Sequence, residues 1–172
     1  MTARSARHPW RIWFVAALAV FESVARAAQA QPARRASAPR FQPEVRADFV
    51  DARAPAAHLG VGVSVPASTY VRLGIVAAAG EAWANGTTTA AGRVDGLVRF
   101  VVDPLREFRW APYASGGVGA IYDGDERWRG VLLGALGIEG PVTGRFVPAF
   151  EVGFGGGARI GVSLRRAMQG RR

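Results

Sequence analysis

Side-chain character alternates with a period of two residues through most of this chain. In the stretch "FVPAFEVGFGGGARIGVSLRR", residues 146–166, Phe146, Pro148, Phe150, Val152 and Phe154 share one parity. Ala158, Ile160, Val162 and Leu164 repeat the pattern after a Gly-rich interruption, while Glu151, Arg159, Ser163 and Arg165 occupy the other parity. Successive side chains on a strand point to opposite faces, so the stretch predicts two strands, each with an oily face and a charged face. The glycines between them suit a tight hairpin, where positive φ is needed.

The same texture recurs upstream in segments 44–51, 58–66, 70–78, 93–102, 108–122 and 127–140. Eight segments of similar length joined by short links predict an all-β, antiparallel up-and-down meander. An even count lets such a meander close on itself, which removes exposed edges. The links "PAST" (66–69), "DPLRE" (103–107), "DGDE" (123–126) and "PVTG" (141–144) suit hairpins, and the longest, 80–92, is expected to be a displayed loop open to a surface ligand. Pro112 and Pro148 fall inside two segments, where each removes a ladder donor, and are expected to mark bulges or later strand starts.

Residues 1–30 have the layout of a secretory signal peptide. Arg4, Arg7 and Arg11 precede an apolar run from Ile12 to Phe21, and Ala28-Gln29-Ala30 offers a small-x-small cleavage site. The apolar run is too short for a permanent membrane helix. Residues 31–43, rich in Pro, Ala and Arg, read as an extended linker, 44–166 as the barrel, and 167–172 as a basic tail. The net charge of +9 comes entirely from Arg scattered at strand spacing, without an Arg-rich run interleaved with aromatics, so nucleic-acid binding is not expected. Cys is absent, which rules out disulfides and thiolate metal sites, and no metal or other cofactor is expected.

Alternation alone does not orient the barrel. A lipocalin-like soluble barrel turns its oily face inward around an apolar ligand, whereas an outer-membrane barrel turns it toward lipid. Three features favour lipid outside. The charged face intersperses Gly, Ser and Ala among long Arg stems, as a narrow interior requires. Segments of about nine to eleven residues match a tilted membrane-crossing strand. Finally, Phe100, Phe108, Trp110, Tyr122, Trp128, Phe146 and Phe154 lie near segment ends, where an aromatic girdle would sit. The lumen is then expected to hold Arg46, Arg72, Arg93, Arg99, Arg109, Arg129, Arg145, Arg159 and Arg165 with Glu44, Asp48, Asp95, Glu139 and Glu151. Glu139 and Arg145 are expected to face each other across the "PVTG" turn. Arg72, Arg99 and Arg109 are expected to gather near one mouth, either solvated, which is favoured, or binding an anion.

A leader followed by eight alternating strands over 44–166 resembles the small eight-stranded outer-membrane barrels of Gram-negative bacteria, typified by the transmembrane domain of outer membrane protein A. That resemblance implies a packed charged lumen, both termini in the periplasm, contact with outer-membrane lipid and the assembly machinery, and no obligatory cofactor. The chain departs from the pattern in ending "RRAMQGRR" instead of on an aromatic, and in its short outer links. Some such barrels modify lipids. Here His58 is the one His after the leader, and Ser64 is its candidate hydroxyl partner, without an elbow motif around it. The favoured reading is a non-enzymatic barrel with a structural or surface role, and no wide pore, because eight strands leave no open channel.

Overall fold

The computed structural model describes residues 41–105, 107–122 and 127–167. Its strands are β1 (Gln42–Asp51), β2 (Ala56–Pro66), β3 (Val71–Ala84), β4 (Thr87–Val101), β5 (Ala111–Tyr122), β6 (Arg129–Glu139), β7 (Phe146–Phe154) and β8 (Ala158–Arg166). Each pairs antiparallel with its sequence neighbours, and β1 pairs with β8 through Phe49↔Ile160 and Val45↔Leu164, closing the barrel. The expected leader, most of the linker, the 123–126 link and most of the basic tail lie outside the described residues.

Several boundaries differ from expectation. β1 begins at Gln42, inside the predicted linker, and β2 begins at Ala56. The expected loop 80–92 is instead a hairpin in which β3 and β4 continue pairing as far as Ala84↔Thr87. Its two-residue turn places Asn85 at φ 51° and Gly86 at φ 75°. Positive φ at both central positions defines the type I′ turn, whose twist matches that of the flanking strands. Pro112 and Pro148 sit within β5 and β7 and interrupt neither ladder, since each keeps its carbonyl as an acceptor: from Val102 N–H at 3.1 Å and from Gly140 N–H at 2.8 Å.

The oily parity faces outward. Leu59 is 74% exposed and Leu136 67%, while Arg93 is 1% and Asp95 0% exposed. This is the reverse of a lipocalin-like interior. Inside, the register seats two of the carboxylates beside glycines. Asp95 lies across from Gly119 and Asp48 from Gly161, and a Cβ on either glycine would collide with the carboxylate. Val76, Leu97 and Leu133 form an apolar layer across the lumen. With charges and this layer filling it, the interior is a packed core.

Candidate functional site: the charged lumen and the outer wall

Inward positions on β1, β4, β7 and β8 bring ionised groups together through strand parity alone. Glu151, in the middle of β7, is the hub. It accepts hydrogen bonds from Arg46 on β1, from Arg99 on β4 at 3.3 Å, from Arg159 on β8 at 2.9 Å and from the Tyr113 hydroxyl on β5 at 2.8 Å. Toward the hairpin end, Arg93 donates to Asp95 at 2.9 Å and 3.2 Å. Arg159 bridges Asp48 at 3.3 Å and Asp95 at 3.6 Å, and Arg46 reaches Asp48 at 3.0 Å. Toward the end that carries both strand termini, Arg165 donates to both oxygens of Glu139 at 2.8 Å and to Gln42 at 2.9 Å. Arg72 joins Glu139 at 2.9 Å, Arg99 lies 3.6 Å from Glu44, and the Arg99 guanidinium stacks 4.7 Å above the Tyr113 ring.

Water is a better solvent for ions than protein, so buried charges persist only when paired and hydrogen-bonded. The planar guanidinium meets that demand with several donors in a fixed fork, which suits Arg better than Lys to one carboxylate shared among three strands. Among the described residues no cluster of His, Cys, Asp and Glu suited to a metal ion occurs.

Three cations expected in the lumen lie elsewhere. Arg109 is exposed in the bend before β5, which starts only at Ala111. The local chain is turned there by Asp103, whose carboxylate accepts from the backbone N–H groups of Glu107 and Phe108 at 3.1 Å and 2.9 Å. Arg145 is exposed in the β6–β7 turn, and Glu139 pairs across the strands with Ala149. The turn is wider than assumed, closed by a Thr143–Phe146 bridge, so Glu139 meets Arg165 and Arg72 instead. Arg129, the first residue of β6, is exposed at the rim. Arg72 and Arg99 do share one end, as direct cross-strand neighbours, but without Arg109.

Gln42 and Tyr113 belong to the network although they were not assigned to it; their parity on β1 and β5 was the available signal. His58 also faces inward and is 7% exposed. Ser64 is six residues further along the same strand, about 20 Å at ~3.3 Å per residue, so the two side chains do not form a nucleophile–base pair.

On the outer wall, Phe100, Phe108, Trp110 and Phe146 lie toward the termini end, with Tyr70 stacked on Phe100 at 6.1 Å. Tyr122, Trp128 and Phe154 lie toward the hairpin end, where Tyr122 and Trp128 are 5.9 Å apart. Trp83, hidden in the supposed loop, joins this second group.

No protein-family model and no curated protein sequence matches the chain. The solved structures similar to it include the following two. The N-terminal β-barrel domain of Pseudomonas aeruginosa OprF superimposes with a TM-score of 0.52 at 14% identity, covering 74% of this chain and 99% of that one. The solution structure of a de novo designed protein, TMB2.3, gives a TM-score of 0.50 at 17% identity, covering 78% and 98%. At such identities the likeness concerns the backbone, and with a closed eight-strand meander it places this chain in the fold of the eight-stranded outer-membrane β-barrels.

Proposed function

We propose that the protein is a non-enzymatic outer-membrane barrel, exported by a cleaved leader, that works through its wall and rims while its lumen stays shut. The observation that carries this reading is the orientation of the two faces. An oily exterior with 74% of Leu59 exposed has no stable place in water, and a lumen in which Glu151 gathers three guanidinium groups leaves no wide path for solutes. The dimensions agree. The rises between the eleven residues of β6, at ~3.4 Å each and tilted by about 40°, span about 26 Å, close to the ~25 Å height of the apolar band in such barrels. Outer-membrane lipid and the assembly machinery are then its obligatory partners. The long β3–β4 hairpin, ending in Asn85-Gly86, is the rim best placed for contact with another molecule.

Fractionation of cells expressing the full chain tests this directly. The protein is expected in the outer-membrane fraction, to need detergent for release, and to migrate differently on gels before and after boiling. In planar bilayers it is expected to lack porin-sized conductance. Recovery in the aqueous fraction, or large steady channels, would refute the reading.

A further inference from the structure

The eight seams of the barrel differ in length. β6 and β7 share six register pairs, from Gly134↔Phe154 to Glu139↔Ala149, whereas the other seven seams share eight to fourteen. Across this short seam the Gly140 N–H donates to the Pro148 carbonyl at 2.8 Å. A residue in an antiparallel ladder turns its N–H and C=O toward the same neighbour, so the donor that Pro148 lacks is also missing from this seam. By the same alternation Gly134, Leu136 and Ile138 bond to Phe154, Val152 and Phe150 here, while Ala135, Gly137 and Glu139 turn toward β5. Leu132 and Gly130 also turn toward β7, but β7 ends at Phe154, and among the described residues neither has a ladder partner on that side.

The two halves of the seam have different backing. Behind the hairpin-end half stand Leu133 and Val131, packed with Val76 and Leu97 in the apolar layer of the lumen. Behind the other half stand Glu151 and Glu139 with their guanidinium partners. A side-chain strap crosses the seam where the halves meet. Tyr113 on β5 lies over Gly137 on β6, where a Cβ would collide with the ring, and its hydroxyl donates to Glu151 on β7 at 2.8 Å. These three residues form one row of the register, between the Leu136↔Val152 and Ile138↔Phe150 pairs. Parting the hairpin-end half uncovers Leu133 and Val131 but no carboxylate, and lipid tails are as apolar as those side chains. The backbone groups freed there lie next to the rim and can find water, whereas deeper in the wall an unpaired N–H or C=O is far more costly. We propose that the β6–β7 seam is a lateral gate in the barrel wall, opening from Gly134–Phe154 through Leu136–Val152 and stopped by the Tyr113–Glu151 strap. The gate rests on the membrane reading, because the uncovered layer needs an apolar surrounding.

The test is amide hydrogen exchange of the full chain folded in detergent micelles, resolved residue by residue by NMR. Depth in the micelle cancels within each strand, since Leu136 and Val152 donate across the seam while their neighbours Ala135 and Gly153 donate away from it. Leu136, Val152 and Phe154 should exchange at least about tenfold faster than Ala135, Gly137 and Gly153, the signature of a local opening. Ile138 and Phe150, behind the strap, should be as slow as those neighbours. Tyr113→Phe removes one hydrogen bond to a charged group and should speed Ile138 and Phe150 by about tenfold, to the level of Leu136. Leu136→Cys with Val152→Cys, in a chain that has no Cys of its own, should form a disulfide that abolishes the contrast until it is reduced. Equal exchange on the two sides of β6 and β7 in the parent chain would overturn the gate. So would a Tyr113→Phe chain in which Ile138 and Phe150 stay as slow as Ala135. Gel migration before and after boiling reports the membrane reading separately. A heat-modifiable barrel with uniform exchange sinks only the gate, and a chain that never folds in micelles sinks the membrane reading beneath it as well.

Discussion

Glu151→Gln removes one charge at the point where Arg46, Arg99, Arg159 and the Tyr113 hydroxyl converge, while leaving shape and one acceptor in place. The three cations are not stranded. Arg46 keeps Asp48 at 3.0 Å, Arg159 keeps Asp48 at 3.3 Å and Asp95 at 3.6 Å, and Arg99 keeps Glu44 at 3.6 Å. Breaking a buried pair costs about 3–5 kcal/mol when the surviving partner is left alone, so the remaining contacts put this loss near the lower bound, about 3 kcal/mol. With a urea slope of about 2 kcal/mol per molar, the unfolding midpoint in vesicles should fall by about 1.5 M. The fraction folded is read from heat-modifiable gel migration across the titration. Arg109→Gln, at an exposed bend position, is the control and should stay within about 0.5 kcal/mol of the parent chain. If Glu151→Gln is as benign as the control, the lumen network does not hold the barrel together.

Other sites give sharper signs. Gly117→Val would drive a Cβ into the Gly96 carbonyl across β4 and β5, and should cost at least about 2 kcal/mol in the same titration. Gly86→Ala puts a side chain at φ 75° in the hairpin turn and should cost about 1 kcal/mol, measurable by the same gel assay. Leu132→Arg, on the outward face where Leu132 is 60% exposed, should cost about 2–4 kcal/mol in vesicles. A soluble protein would tolerate that change within about 0.5 kcal/mol, so the vesicle value discriminates between the two solvents.

Much of this architecture was legible because the period-2 pattern is nearly unbroken where bulky apolar residues alternate with charges. Segments 146–154 and 158–166 match β7 and β8 for that reason. The pattern fades from Ala77 to Gly92, where Ala, Gly and Thr occupy both faces, and β3 and β4 lost their outer halves to a supposed loop. The Asn85-Gly86 dipeptide was the signal that would have restored them. Arg109 and Arg145 were misplaced for a different reason. Alternation says which face a residue takes but not where pairing stops, and here the stops are set by the Asp103 turn and by the wider Gly140–Arg145 connection. Ion-pair partners were the least legible. Glu139 and Arg165 lie on strands separated by β7, and the inter-strand register that brings them together, Glu139↔Ala149 and Ala149↔Ser163, is not written in the alternation of either strand.

The account stands on the oily face meeting hydrocarbon, and electron paramagnetic resonance can read that contact at one residue. The chain contains no Cys, so Leu136→Cys gives a unique attachment point for a nitroxide, with Thr143→Cys in the exposed β6–β7 turn as the aqueous reference. In vesicles, the nitroxide at 136 should collide readily with oxygen, which concentrates in lipid, and hardly with a water-soluble nickel complex, while the label at 143 should show the opposite ranking. Ready collision of the 136 label with nickel, matching the turn reference, would contradict it.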